Sequence, residues 1–183
     1  AGGEYYARTV RILDEIDEAN RAMQDLDAAP RGRLRVSAPM SLGLMHIARA
    51  IPDFLERNPA VELDLVMNDR VVDLVEEGFD MALRGRSQLP DSSMVARRLA
   101  PLRRVVCAAP RYLERHGAPA APADLVRHEC LIYTLSERPA EWRIAGRTVK
   151  VAGRFHSNNS TGLYEALLAG FGIGLMPTFV VGA

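Results

Sequence analysis

Residues 33–84 constrain the fold most, because strand and helix signals alternate there in a fixed order. Residues 33–38 read as a strand with Leu34 and Val36 on one face. Residues 42–57 read as a helix striped by Leu44, Ile47, Ile51 and Leu55, and Asn58-Pro59 closes it. Residues 61–67 form a second strand, 71–77 a short helix stopped by Gly78, and 79–84 a third strand. Such a β-α-β-α-β run predicts a parallel sheet with right-handed crossovers.

Beyond this run the pattern changes. Residues 94–109 look extended, with a break near Pro101, and 110–116 form a short helix entered through Pro110. A further helical turn is expected at 123–127. Short strands follow at 130–134, 141–144, 148–151 and 154–156, with Gly146-Arg147 as a hairpin turn. A helix at 161–169 and a buried strand at 173–176 close the pattern. The expected architecture is two α/β lobes, the chain passing between them near residues 86–101.

Ahead of the lobes, residues 4–27 hold no proline or glycine. Tyr5, Ile12, Ile16, Ala19, Met23 and Leu26 fall on one narrow helical seam, four and three residues apart from Ile12 onward, with charged flanks. Such a helix packs on its own domain or pairs with another subunit. The narrow seam favours pairing. Ala28-Ala29-Pro30-Arg31-Gly32 is a hinge. The expected division is a helix at 1–29, a first lobe at 30–90 and a second at 91–183.

Composition narrows the function. The 23 basic side chains balance 23 acidic ones, whereas a surface that binds nucleic acid by itself usually carries a basic excess. No apolar run reaches the roughly 18 residues of a membrane span, and the N-terminus lacks the marks of a signal peptide. Two cysteines, Cys107 and Cys130, are too few for a disulfide framework. A reducing, cytoplasmic setting is expected, with the cysteines as buried thiols; a redox pair is the lesser alternative.

Three strand ends carry polar or glycine-rich residues. Ser37-Ala38-Pro39-Met40-Ser41-Leu42-Gly43 joins the first strand to the first long helix, with Ser41 placed to cap it. In His156-Ser157-Asn158-Asn159-Ser160-Thr161-Gly162, the residues Asn158, Asn159, Ser160 and Thr161 offer amides and hydroxyls beside another helix start. Arg84-Gly85-Arg86 is a basic strand end near the crossing. Ligands of open α/β sheets sit outside the carboxyl ends of strands, so these segments can line one cleft for a small organic acid or polar aromatic. The plainer alternative is that Ser41, Asn159 and Ser160 only cap helices. Gly170-Phe171-Gly172-Ile173-Gly174 runs from helix to strand, the reverse of a dinucleotide site, and reads as a helix end with a close-packed strand. His46, His116, His128 and His156 lack metal-ligand spacing, and no nucleophile is coupled to a base. No cofactor or catalytic role is expected.

Several stretches then point to one family. Gly32-Arg33-Leu34-Arg35-Val36-Ser37-Ala38-Pro39, Leu74-Val75-Glu76-Glu77-Gly78-Phe79-Asp80-Met81-Ala82-Leu83-Arg84, Ala109-Pro110-Arg111-Tyr112-Leu113, Asn158-Asn159-Ser160 and the run from Ala169 to Pro177 together resemble a LysR-type transcriptional regulator. The resemblance covers the whole chain: the seam helix resembles the dimerising linker, and the rest an effector domain. It implies a two-lobe, periplasmic-binding-protein-like (type 2) α/β fold preceded by a long linker helix. The implied ligand is a small-molecule effector held between the lobes by Pro39, Met40, Ser41, Leu42, Arg84, Arg86, Asn158, Asn159 and Ser160. A homodimer or homotetramer is implied, with no membrane partner. DNA would be met only by a winged helix-turn-helix domain placed ahead of Ala1, and the family's return segment that completes the first lobe would lie beyond Ala183. A solute receptor of a transport system shares the architecture and is the alternative; it would be monomeric. An enzyme on the same scaffold would need a reactive constellation that the sequence does not display.

Overall fold

The computed structural model describes residues 6, 8–10, 13, 29–70, 73–85 and 95–182. Tyr6, Arg8, Thr9, Val10 and Leu13 are helical. The seam residues Tyr5, Ile12, Ile16, Ala19, Met23 and Leu26, and the cleft candidate Arg86, lie outside the described residues.

The first half is built on a three-stranded parallel sheet. Its strands are β1 (Gly32–Ala38), β2 (Val61–Met67) and β3 (Met81–Ala82), in the order β2-β1-β3. β1 is central and buries Val36, Ser37 and Ala38 at its carboxyl end. Between β1 and β2 the chain is helical without a break: α1 (Met40–Leu42), a π-helical segment (Gly43–Ile47) and α2 (Ala48–Arg57). The wide π turns break the expected apolar stripe. Leu44 points outward, 54% exposed, while Ile47, Ile51 and Leu55 stay half-buried.

Two expectations in this half are corrected. Residues 74–78 form turns, not a helix: the Asp73 carboxylate takes the Val75 and Glu76 N–H groups at 2.9 and 3.0 Å, which excludes a helix begun at residue 71, and Gly78 at φ +68° closes the chain after one turn. A short polar side chain that captures nearby amides competes with helix formation in this way. The third strand is only two residues long. Before it, the Asp80 carboxylate receives the Arg35 N–H at 2.7 Å, so a side chain replaces a ladder bond.

The second half carries a four-stranded mixed sheet in the order β4-β9-β5-β8. β4 (Arg104–Ala108) runs antiparallel to β9 (Ile173–Pro177). β5 (Cys130–Tyr133) and β8 (His156–Ser157) run parallel to it. Alternate residues of β5 face opposite layers, as the pleat requires. Cys130 and Ile132 join Tyr112, Leu125, Trp142, Val151 and Ile173. Leu131 joins Leu163, Leu167, Met176 and Val180 on the other face. Each large apolar side chain so buried contributes roughly 1.5–3 kcal/mol.

The first layer holds α3 (Pro110–His116), a 3-10 turn (Pro122–Arg127) and the hairpin of β6 (Glu141–Ile144) with β7 (Arg147–Lys150). The second holds α4 (Ser160–Leu168) and α5 (Thr178–Val181). The hairpin turns on Ala145-Gly146, both with positive φ, rather than on Gly146-Arg147. A two-residue loop of that twist matches the right-handed twist of its strands. Gly172 permits a close pass: a Cβ there would sit 2.5 Å from the Glu129 carbonyl. The glycine-rich run is thus a packing device, as its order suggested. Cys107 and Cys130 stand on β4 and β5 with β9 between them. That spacing of roughly 10 Å is beyond a disulfide. Both are free thiols, Cys130 buried and Cys107 only half-buried.

Candidate functional site

The site grows from the carboxyl ends of β1, β2 and β3 and from the β8–α4 junction. On β1, buried Ser37 receives the Arg84 guanidinium at 3.1 Å, while the other Arg84 nitrogen donates to the Leu83 carbonyl at 3.0 Å. The Leu83 N–H donates to the Ser37 carbonyl at 2.8 Å, which draws the β3 end alongside β1. Arg84 is therefore held at the strand ends, half-buried.

Ser41 is not the helix cap. The helix begins one residue earlier, at Met40, with Pro39 in the capping position and no capping side chain of its own. The Met40 N–H is taken instead by Asp69, which follows β2, at 2.9 Å. Ser41 is buried, and its oxygen accepts from the Thr161 hydroxyl of the second half at 3.0 Å. Leu42 is half-buried behind it.

On the other side, Asn159 does cap α4. Its Oδ1 accepts from the Thr161 and Gly162 N–H groups at 2.9 and 3.2 Å. Its amide nitrogen donates to Asp69 at 3.2 Å, across the seam between the halves. The Asn159 backbone is fixed by Ser157, whose hydroxyl accepts its N–H at 3.1 Å and donates to its carbonyl at 3.2 Å. Asn158 is exposed, and Ser160 opens the helix half-buried. Farther along, His46 from the π segment meets the Phe179 carbonyl at 3.1 Å, its ring edge-to-face with the Phe179 ring at 5.7 Å.

The sequence-predicted residues therefore divide. Met40, Ser41 and Asn159 meet across the seam, Met40 and Asn159 through Asp69 and Ser41 through Thr161. Arg84 lies behind them on Ser37. Pro39, Leu42, Asn158 and Ser160 flank this group without a described polar contact to the other half. Sequence reasoning missed Asp69 and His46 at the seam, whereas Ser37 falls within the first strand-end segment it singled out. Asp69 stands just past the carboxyl end of β2, beside β1, so the strand-end rule applied to every strand would have found it.

The arrangement offers hydroxyls, an amide, a carboxylate and one guanidinium, which suits hydrogen bonding to a small polar solute. Among the described residues no group of histidine, cysteine and carboxylates could hold a metal ion. Cavities also open on the second half. One of about 640 Å3 is lined by Cys107, Arg111, Glu114, Tyr164, Leu167 and Val181. Another, of about 370 Å3, is lined by Tyr112, Arg115, Arg127, Arg154 and Phe171. Burial raises the Cys107 pKa, so the thiol in the larger cavity stays protonated and is a poor nucleophile.

The model of the LysR substrate binding domain family matches residues 27–183. An uncharacterised HTH-type transcriptional regulator of Haemophilus influenzae is 34% identical over 186 residues, covering 100% of this chain and 64% of the relative. The HTH-type transcriptional regulator CrgA of Neisseria meningitidis serogroup C is 33% identical, covering 98% and 61%. The chain thus spans less than two thirds of these relatives. Among solved structures, the regulatory domain of CrgA from Neisseria meningitidis, a LysR-type regulator, has a TM-score of 0.75 at 33% identity, over 83% of this chain and 76% of that one. The full-length Vibrio cholerae virulence activator AphB has a TM-score of 0.72 at 28% identity, over 99% and 62%.

Proposed function

Because the chain belongs to the LysR substrate binding domain family, we propose that it is the effector-sensing part of a DNA-binding transcriptional regulator. A small solute, anionic or polar aromatic, enters at the seam where the ends of β1, β2 and β3 face the start of α4. Ser41, Arg84, Arg86, Asn158, Asn159 and Ser160 supply its polar contacts, and Pro39, Met40 and Leu42 its walls. The observation that carries this reading is the convergence of Ser41 and Asp69 from one half with Thr161 and Asn159 from the other. A solute placed there touches both halves, so it can prefer one arrangement of them over another, which is what sensing requires.

In this reading residues 1–29 are the linker helix, 30–90 the first lobe and 91–183 the crossing and second lobe. The helix pairs subunits into a homodimer or homotetramer through Tyr5, Ile12, Ile16, Ala19, Met23 and Leu26. DNA is met by a separate winged helix-turn-helix domain, the work is done in the cytoplasm, and the chain has no catalytic role. No helix among the described residues is long and apolar enough to cross a membrane. The relatives are transcriptional regulators, which does not favour the transport-receptor alternative.

The test is a titration of the 15N-labelled chain with benzoate and with succinate, at constant ionic strength set by chloride. Saturable shifts at the amides of Met40, Ser41 and Thr161 are expected with at least one acid. Shifts confined to the second-half cavities, or none with either acid, count against this site. For the regulator as a whole, operator affinity across a salt series with and without the bound acid reads the coupling. Identical affinities reject the sensing role.

A further inference from the structure

Among the described residues, hydrogen bonds at three places tie the halves together at the seam, and they differ in how much freedom they have. Ser41 and Thr161 are both hydroxyls, and either can donate. His46 reaches a backbone carbonyl. The Asp69–Asn159 contact has a direction that cannot reverse. The Asn159 oxygen is committed to two N–H groups of α4, so its NH2 must face the other half as a pure donor. One Asp69 oxygen is committed to the first N–H of α1, and the other receives Asn159. A carboxylate only accepts. Each partner is thus fixed from behind by the start of a helix, and a line of hydrogen bonds runs from α1 through Asp69 and Asn159 into α4.

We propose that Asp69 is a positioning residue that sets the angle between the two halves, acting through Asn159. The pair works with no solute present, so the proposal goes beyond the effector reading and does not depend on it. The carboxylate suits the place, because helix starts favour negative charge. A solute that enters the seam must then either accommodate this bridge or displace it.

The polarity of the pair supplies the test. Asp69→Asn keeps an oxygen for the Met40 N–H but sets one NH2 against another. Asn159→Asp keeps a good cap but sets one carboxylate against another. The double swap, Asp69→Asn with Asn159→Asp, restores donor to acceptor in the opposite sense and keeps both helix contacts. The readout is the relative orientation of the halves, taken from backbone residual dipolar couplings of the 183-residue chain, with urea midpoints alongside. Each single variant is expected to weaken the bridge about tenfold, the scale of a hydrogen bond to a charged group. The alignment tensors fitted separately to the two halves should then diverge, while the couplings of each half still fit its own wild-type geometry. The double swap should recover the wild-type couplings and midpoint, also where a single variant fails to fold. Single variants whose two halves keep one shared alignment tensor, or a double swap no better than the singles, overturn the proposal.

Discussion

Replacing Tyr112 by phenylalanine removes one oxygen from the second half and leaves the rest of the side chain in place. The ring is 2% exposed and stacks on His116 at 4.5 Å between centroids. Its hydroxyl accepts the Glu129 N–H at 3.0 Å and pairs with His128 Nδ1 at 3.2 Å. This one atom therefore pins α3 to the chain entering β5. Tyr112→Phe strands the Glu129 amide and a His128 nitrogen. An unmet, half-buried donor costs about 2 kcal/mol, and for a chain of this length that lowers Tm by about 4–8 °C. Tyr112→Leu loses the ring contacts as well and costs more. Urea unfolding followed by fluorescence of Trp142, 5% exposed in the same core cluster, reads both variants directly. The slope with urea should stay unchanged. A Tyr112→Phe loss under about 0.5 kcal/mol, well below the cost of an unmet buried donor, would refute the reasoning, because the hydroxyl would then be doing no more than water does.

Two further outcomes concern titrating groups. The Asp124 carboxylate accepts from the Ala121 and Ala120 N–H groups and from Arg127, which holds its pKa below the usual 3.8. Its stabilising effect is present above that ordinary value and disappears as pH falls through the lower, folded one. Urea midpoints measured from pH 6 down to 2 should therefore fall less steeply in Asp124→Ala than in the parent chain; parallel curves would count against the bonds. Burial pushes the Cys130 thiol from 9.0 up to about 11, with Glu129 adding to the effect. Between those values the unfolded chain loses a proton that the folded chain keeps, so stability declines as pH rises past 9. At pH 8, iodoacetamide should leave Cys130 unmodified in the folded chain and reach half-buried Cys107 slowly; rapid alkylation of Cys130, read by mass, contradicts this burial.

The two-half pattern and most elements were legible because periodicity is a local property. β2 matches its expected span of 61–67 residue for residue, since its alternation ends at Asn68. β1, β5 and β9 agree to within a residue for the same reason. The reading went astray where a side chain intervened. Asp73 and Asp80 each take backbone N–H groups that a helix or strand would otherwise use. Ser41 looked like a cap, yet helix start and partner both depend on residues far away: Asp69 claims Met40, and Thr161 claims Ser41. Asn159 was readable as a cap because both of its helix contacts lie within three residues. Its bond to Asp69 spans ninety residues and is set only by tertiary packing.

The π segment at Gly43–Ile47 has a consequence for how residues 40–57 can change. An ordinary helix turns 100° per residue, so every side chain shares one phase. The extra residue in a π turn lets the two ends of one rod keep separate phases, one addressed to Thr161 and Phe179, the other to β2. A Cβ on Gly43 would sit 2.7 Å from the Met67 side chain, which marks where this gearing is seated. Losing one residue here would re-index everything upstream by about a quarter-turn, aiming Ser41 away from its partner while leaving the far end undisturbed.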